Sequence, residues 1–314
     1  MIARPALLLP AGLLLLAGAS LAIGAADLLR GDLDAGLLLA VSRLPRTLAA
    51  LLAGAGLALA GVVVQLTVQN RLVEPGLTGT PEAAMLGLLG VTLLAPGAAL
   101  LVKMSAAAAA AMAGTAGFLL LARRVPRHDP MLLPLVGLIY GGILGAVALY
   151  LAWVTDLVQY LGVWQSGEFS GVLRGRYELL WLVAALGLAL YAAADRLTLL
   201  GLGEAQARSL GLNYRQTLAL GLAIVALTVS VVVVTVGSLP FVGLVVPNIV
   251  SRWRGDNLRA NLPLVAGLGA LMVLAADLVG RLVRHPYEIP AGTVFAVVGA
   301  GLFLWLLHAA PRRG

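Results

Sequence analysis

The stretch "GLGEAQARSLGLNYRQ", Gly201–Gln216, separates two long apolar segments and resembles neither of them. From Leu202 to Leu210 a helix would be about 13 Å long at 1.5 Å per residue, less than half of the roughly 30 Å hydrocarbon core of a bilayer. It cannot span a membrane. Glu204 and Arg208 stand four residues apart in the order that supports an exposed helix, and Ala205, Ala207 and Leu210 offer a small apolar surface. Gly211 is suited to a left-handed cap at its end. Beyond it, "NYRQT" from Asn213 reads as a second short turn leading into the next apolar segment. On these residues alone the stretch is either a solvated connector or a rigid knob that enters a groove on a partner and passes its motion to the attached helices.

The surroundings decide what such a knob is attached to. The 314 residues are 61% hydrophobic and 11% charged, with a mean hydropathy of +1.00, far from the composition of a soluble domain. Apolar runs long enough to cross a bilayer recur along the whole chain, and no polar stretch is large enough to fold separately. The expected fold is therefore one all-α, polytopic membrane domain over residues 1–314. Breakers divide it into ten candidate helices: 6–28, 47–68, 81–95, 98–121, 132–154, 179–195, 217–236, 240–251, 262–283 and 289–308. The N-terminal run has the basic start and small residues of a signal peptide, but its apolar part is longer than a signal core, so it is read as a retained first helix.

The third and eighth helices are short and begin at Pro81 ("TPEAAMLG") and Pro240 ("LPFVGLVVPNIV"). Broken helices at membrane depth are tolerated where they line a cavity, which makes Pro81 and Pro240 candidates for a translocation pathway. Gly137, Gly141 and Gly145 lie four apart in "GLIYGGILG"; that face serves close helix packing or lines the same pathway.

With both termini in the cytoplasm, thirteen basic residues fall inside: Arg4, Arg71, Arg123, Arg124, Arg127, Arg196, Arg208, Arg215, Arg252, Arg254, Arg259, Arg312 and Arg313. Eight fall outside: Arg30, Arg43, Arg46, Lys103, Arg174, Arg176, Arg281 and Arg284. The bias favours that orientation. The net charge of +7 and pI near 10.4 come from residues scattered singly and in pairs, with no basic stripe for nucleic acid. Without cysteine, and with His128, His285 and His308 in no ligand spacing, no metal site is expected. The one lysine, Lys103, lies outside any phosphate-loop glycine frame, so the chain is expected to bind no nucleotide cofactor. An ion-coupled secondary transporter would need acids in its spans, and Glu82 and Asp277 are sparse candidates. No constellation of acids, bases or ligands marks an enzyme.

Several phrases resemble, in order, the FecCD-type permeases of bacterial ABC importers for ferric siderophores, haem and cobalamin. They are "SRLPRTLAALLAGAGLALAGVVVQ" from Ser42, "NRLVEPGLTGT" from Asn70, "GLGEAQARSLG" from Gly201, "GSLPFVGLVVPNIVSR" from Gly237, "ADLVGRL" from Ala276 and "EIPAGTVFAVVGAGLFLWLL" from Glu288. The resemblance implies a type II ABC importer permease of about ten transmembrane helices in the bacterial cytoplasmic (inner) membrane, paired with a second copy or a paralogue. It further implies two cytoplasmic ATPase subunits that carry ATP-Mg, and an extracytoplasmic substrate-binding protein. The knob becomes the ATPase-coupling loop, with Leu202, Gly203, Glu204, Ala205, Ala207, Arg208, Leu210 and Gly211 at the contact. Arg43, Arg46 and Arg281 resemble the partners of acidic residues on the binding protein. Snorkelling is the alternative for Arg43 and Arg46, and a local pair with Asp277 for Arg281. One departure is Asn248, where many relatives have histidine. "VWQSGEFSGVLRGRYELLW" from Val163 resembles the ferric-siderophore branch, with haem or cobalamin as the alternative cargo.

Overall fold

The computed structural model describes residues 4–24, 35–122, 124–125, 132–284 and 287–308. These residues form helices joined by short connections: α1 (Arg4–Ala22), α2 (Ala35–Leu38), α3 (Leu44–Val68), α4 (Thr80–Leu94), α5 (Leu100–Ala122), α6 (Leu132–Val154), α7 (Val158–Gln165), α8 (Trp181–Ala192), α9 (Ala194–Leu200), α10 (Glu204–Ser209), α11 (Tyr214–Val236), α12 (Val242–Arg254), α13 (Leu258–Val283) and α14 (Ala291–His308). Five described helical stretches are long and apolar enough to cross a membrane: Ala35–Val68, α5, α6, α11 and α13. Shorter apolar helices are Leu8–Ala22, α4 and Ala291–Leu306.

The breakers place most boundaries within a few residues of the sequence expectation, with three differences. The second span begins earlier, because α2 and a π-helical turn over Leu39–Arg43 run straight into α3, which puts Arg43 and Arg46 on helix. The sixth, expected as one rod over 179–195, is bent by 68° between Tyr177–Ala192 and Ala194–Leu200. Asn213 makes no separate turn: its side chain accepts from the Gln216 N–H and caps α11 directly. Residues 25–28 of the expected first helix, and Arg30, Arg123, Arg127, His128, His285, Arg312 and Arg313, lie outside the described residues.

The centre of the bundle is α3, packed against α13, α11 and α12. Both α3 and α11 are apolar around their circumference, as suits a helix surrounded by others; every residue from Thr228 to Val236 of α11 is buried. Glycine lets the central helices meet backbone to backbone. A Cβ at Gly54 of α3 would sit on the Gly269 carbonyl of α13, and one at Gly61 would sit on the Gly243 carbonyl of α12. The flank is different: α6 turns Leu138, Ile139, Ile143 and Leu149 outward.

Candidate functional site

Three features meet in this frame, and α3 touches each. The first is the short polar helix. α10 spans only Glu204–Ser209, and Arg208 Nη2 lies 2.6 Å from Glu204 Oε1 across its exposed face. Gly203 precedes it at φ +95° and Gly211 follows at φ +81°, conformations that suit glycine. The Gly211 and Leu212 N–H groups donate to the Arg208 and Ala207 carbonyls, which closes the helix as the sequence predicts. Ala207 corrects the expected apolar surface, since it is fully buried and faces the bundle. Leu202, Ala205 and Leu210 face outward.

Beside this helix a cavity of about 420 Å³ is lined by Gln65, Gln69, Arg71, Leu202, Asn248 and Asp256, among others. Arg71 Nη2 pairs with Asp256 Oδ2 at 2.6 Å, and Ser251 Oγ donates to Asp256 Oδ1 at 2.5 Å. Asn248, the departure from the family pattern, donates to the carbonyls of Arg71 and Leu244, tying the α3–α4 connection to α12. The Ser251 hydrogen bond, helped by the Arg71 charge, holds the Asp256 carboxyl below its ordinary range. A depressed carboxyl stabilises the fold fully above its unfolded value near 4, and that contribution disappears as pH falls through the folded value. Because both side chains are more than half exposed, at 60% and 66%, Asp256→Asn is expected to cost under about 1 kcal/mol. Melting temperatures of the two proteins check this: a small gap at neutral pH should narrow on acidification.

The second feature is the pair of broken helices. Pro81 and Pro240 line one cavity of about 190 Å³ at the starts of α4 and α12, together with Glu74 and Glu82. Glu74 is buried and accepts from the Phe241 N–H at the start of α12, so a carboxyl caps a helix whose first turn is set by Phe241 at φ +66°. Glu82 Oε2 is closed off from solvent without a hydrogen-bond partner. Gly141 and Gly145 of α6 pack on the Glu82 side chain, where an added Cβ would meet it at 3.5 and 3.6 Å. Pro81 and Pro240 thus share a cavity with Glu82, and Gly141 and Gly145 pack on that side chain, while Gly137 is buried one turn earlier in α6.

The third feature lies at the opposite end of α3. Arg43 donates to the carbonyls of Leu21 and Ala22 at 2.7 Å, and Arg281 donates to those of Ser20 and Ile23 at 3.1 Å. The last carbonyls of a helix lack intrahelical donors, and two arginine side chains supply them for α1. Arg46 pairs with Asp277 at 2.8 Å and with Glu288 at 2.8 Å, and Arg281 pairs with Asp277 as the i, i+4 spacing predicts. Snorkelling does not describe Arg43, which is 5% exposed. All three arginines are engaged inside the bundle, with Ser20 and Thr47 hydroxyls bonded to each other at 2.8 Å beside them.

Among the described residues, an all-helical bundle with five stretches long and apolar enough to cross a bilayer, and short helices around a cavity, has the make-up of a multi-pass membrane protein. The chain belongs to the FecCD transport family, whose pattern matches residues 7–309. It is 42% identical over 296 residues to the petrobactin import system permease protein FatD of Bacillus anthracis, covering 94% of this chain and 88% of that one. It is 41% identical over 266 residues to the ferric-anguibactin transport system permease protein FatD of Vibrio anguillarum, covering 85% of each. Among solved structures, a metal-chelate type ABC transporter in an inward-facing conformation superposes with a TM-score of 0.82 at 27% identity, over 96% of this chain and 97% of that one.

Proposed function

We propose that the chain is the membrane-spanning permease subunit of an ABC importer that moves a ferric siderophore or related metal chelate across the bacterial cytoplasmic membrane. The observation that carries this reading is the similarity, over 94% of the chain, to a petrobactin import permease, supported by the ferric-anguibactin relative. Energy would come from ATP-Mg bound by two partner ATPase subunits, and cargo from an extracytoplasmic binding protein. A second permease copy or paralogue would cover the outward apolar face of α6, and lipid the rest.

In this account α10 faces the cytoplasm, as do both termini. Leu202, Ala205 and Leu210 enter a groove on the ATPase, Glu204 and Arg208 stiffen the helix through their mutual pair, and Ala207 anchors it to the bundle. Closure of the ATPase pair displaces this segment, and helices attached to it shift the cavity at Pro81 and Pro240 between outward and inward access. Differential contact with the two states is what carries the coupling. At the other end, acidic groups of the binding protein engage Arg43, Arg46 or Arg281 by exchange with their internal partners: α1 carbonyls for Arg43, Asp277 and Glu288 for Arg46, and Asp277 for Arg281.

The test is capture of the companion ATPase by the purified permease in lipid nanodiscs. Leu202→Asp combined with Leu210→Asp is expected to weaken capture at least about tenfold, because charged groups replace the apolar anchors of a small interface. Unchanged capture, with the double variant folded, rules out α10 as the contact. Uptake assays with ferric siderophores, haem and cobalamin, each presented on the binding protein, then identify the cargo.

A further inference from the structure

Gln69 is one of three described non-glycine residues with positive φ, at +53°. It terminates α3 at the position where the left-handed turn usually falls to glycine: the Asn70 N–H donates to the Gln65 carbonyl at 3.0 Å, and the Gln69 N–H donates to that of Leu66 at 3.3 Å. A strained conformation held by a residue with a long amide side chain calls for an account of what that side chain does. Its Nε2 donates to the Gly201 carbonyl at 3.3 Å. The fit around this contact is close. A Cβ added to Gly203 would come within 2.8 Å of Gln69 Nε2, and one added to Gly201 within 2.9 Å of Leu66 Cδ2.

Four residues earlier, within the last turns of α3, Gln65 Nε2 donates to the Gly243 carbonyl at 3.2 Å, in the first turn of the broken helix α12. Two amides at the C-terminal end of α3 therefore hold the start of the polar loop and the start of the helix that walls the cavity at Pro240. The cavity of about 420 Å³ lies between Gly201 and Leu202 on one side and Pro247, Asn248 and Ser251 of α12 on the other.

We propose that Gln69 is a positioning residue that transmits displacement of the Gly201–Leu210 segment to α3 and, through Gln65, to the start of α12. The inference rests on the importer reading, and it identifies the linkage inside the chain by which that segment acts. A purely structural cap and a transmitting residue respond differently to glycine. Gln69→Gly relieves the strained turn and removes the amide, so this variant should fold and melt no lower than the parent while the loop comes loose. Gln69→Lys keeps a long side chain with a terminal donor and should behave like the parent.

The experiment has two arms. In the full chain in nanodiscs, amide exchange over 203–212 is expected to quicken about tenfold in Gln69→Gly, within the range of a modest coupling energy, and to stay near the parental rate in Gln69→Lys. In vesicles carrying the complex with its ATPase and binding protein, radiolabelled ferric petrobactin and ferric anguibactin are each offered, and uptake of the one transported, per ATP hydrolysed, should fall about tenfold in Gln69→Gly only. Parental exchange in the glycine variant overturns the proposal, as does parental uptake per ATP or a lysine variant as impaired as the glycine one. If the parental complex itself moved no cargo on ATP, the importer reading would fall, and the exchange arm would still decide whether Gln69 holds the loop.

Discussion

Replacing Asp277 with alanine is expected to destabilise the bundle by about 3–5 kcal/mol, the cost typical of leaving a buried charge without its partner. Asp277 is 2% exposed and faces two guanidinium groups, those of Arg46 and Arg281. Glu288 remains for Arg46, but Arg281 is 4% exposed and would be left with carbonyls and the Ser20 hydroxyl, none of which carries a compensating charge. The damage should spread to α1, because Arg281 also satisfies the terminal carbonyls of that helix. Thermal unfolding in detergent reads the effect as a large fall in melting temperature. Adding Arg281→Met should recover part of the loss, since the orphaned charge is then gone. A single variant as stable as the parent contradicts the cluster's structural role.

Gly61→Val is the second large effect. Here the obstacle is backbone: the new Cβ would collide with the Gly243 carbonyl oxygen, so no side-chain rotation relieves it, and α3 and α12 must separate. Overpacking a tight contact costs about 1–3 kcal/mol and sometimes more; with a carbonyl as the obstacle, at least about 3 kcal/mol is expected. Separation would also break the hydrogen bond from Gln65 to Gly243, so any surviving protein should transport poorly. Gly90→Ala is the matched control. It lies in α4 with nothing within 4 Å of an added Cβ, and alanine there should be neutral or slightly stabilising. Melting temperature and size-exclusion profile of the two variants check the contrast, and a Gly61→Val protein indistinguishable from Gly90→Ala would contradict the packing account.

The parts of this fold that were legible in the sequence are those written in local signals. Pro81 and Pro240 marked the short helices, Glu204 and Arg208 announced the exposed face of α10, Gly211 its end, and the spacing of Asp277 and Arg281 their ion pair. What stayed hidden depends on long-range partners or on backbone strain. Arg46 meets Asp277 and Glu288 across 231 and 242 residues, and no local pattern distinguishes an arginine paired in this way from one waiting at a surface. The same holds for Arg43, whose partners are carbonyls of α1. The bend at Ala193 falls among alanines without proline or glycine to mark it. Gln69 and Phe241 take positive φ where sequence offers no cue; beside Gln69, Asn70 is the residue type more often found there. Glu74, unremarked in the sequence, turns out to cap α12, and only the fold brings its carboxyl to Phe241.

The central claim is that this chain is a gate moved by a separate ATPase acting through Gly201–Leu210. Reconstitution into sealed vesicles tests it most directly, comparing uptake of a panel of ferric siderophores by the permease alone and by the permease with its ATPase and binding protein. The account predicts accumulation against a gradient only for the full assembly with ATP inside the ATPase compartment, insensitive to a protonophore and lost in the Leu202→Asp, Leu210→Asp variant. Uphill uptake by the permease alone, abolished by a protonophore, would contradict it.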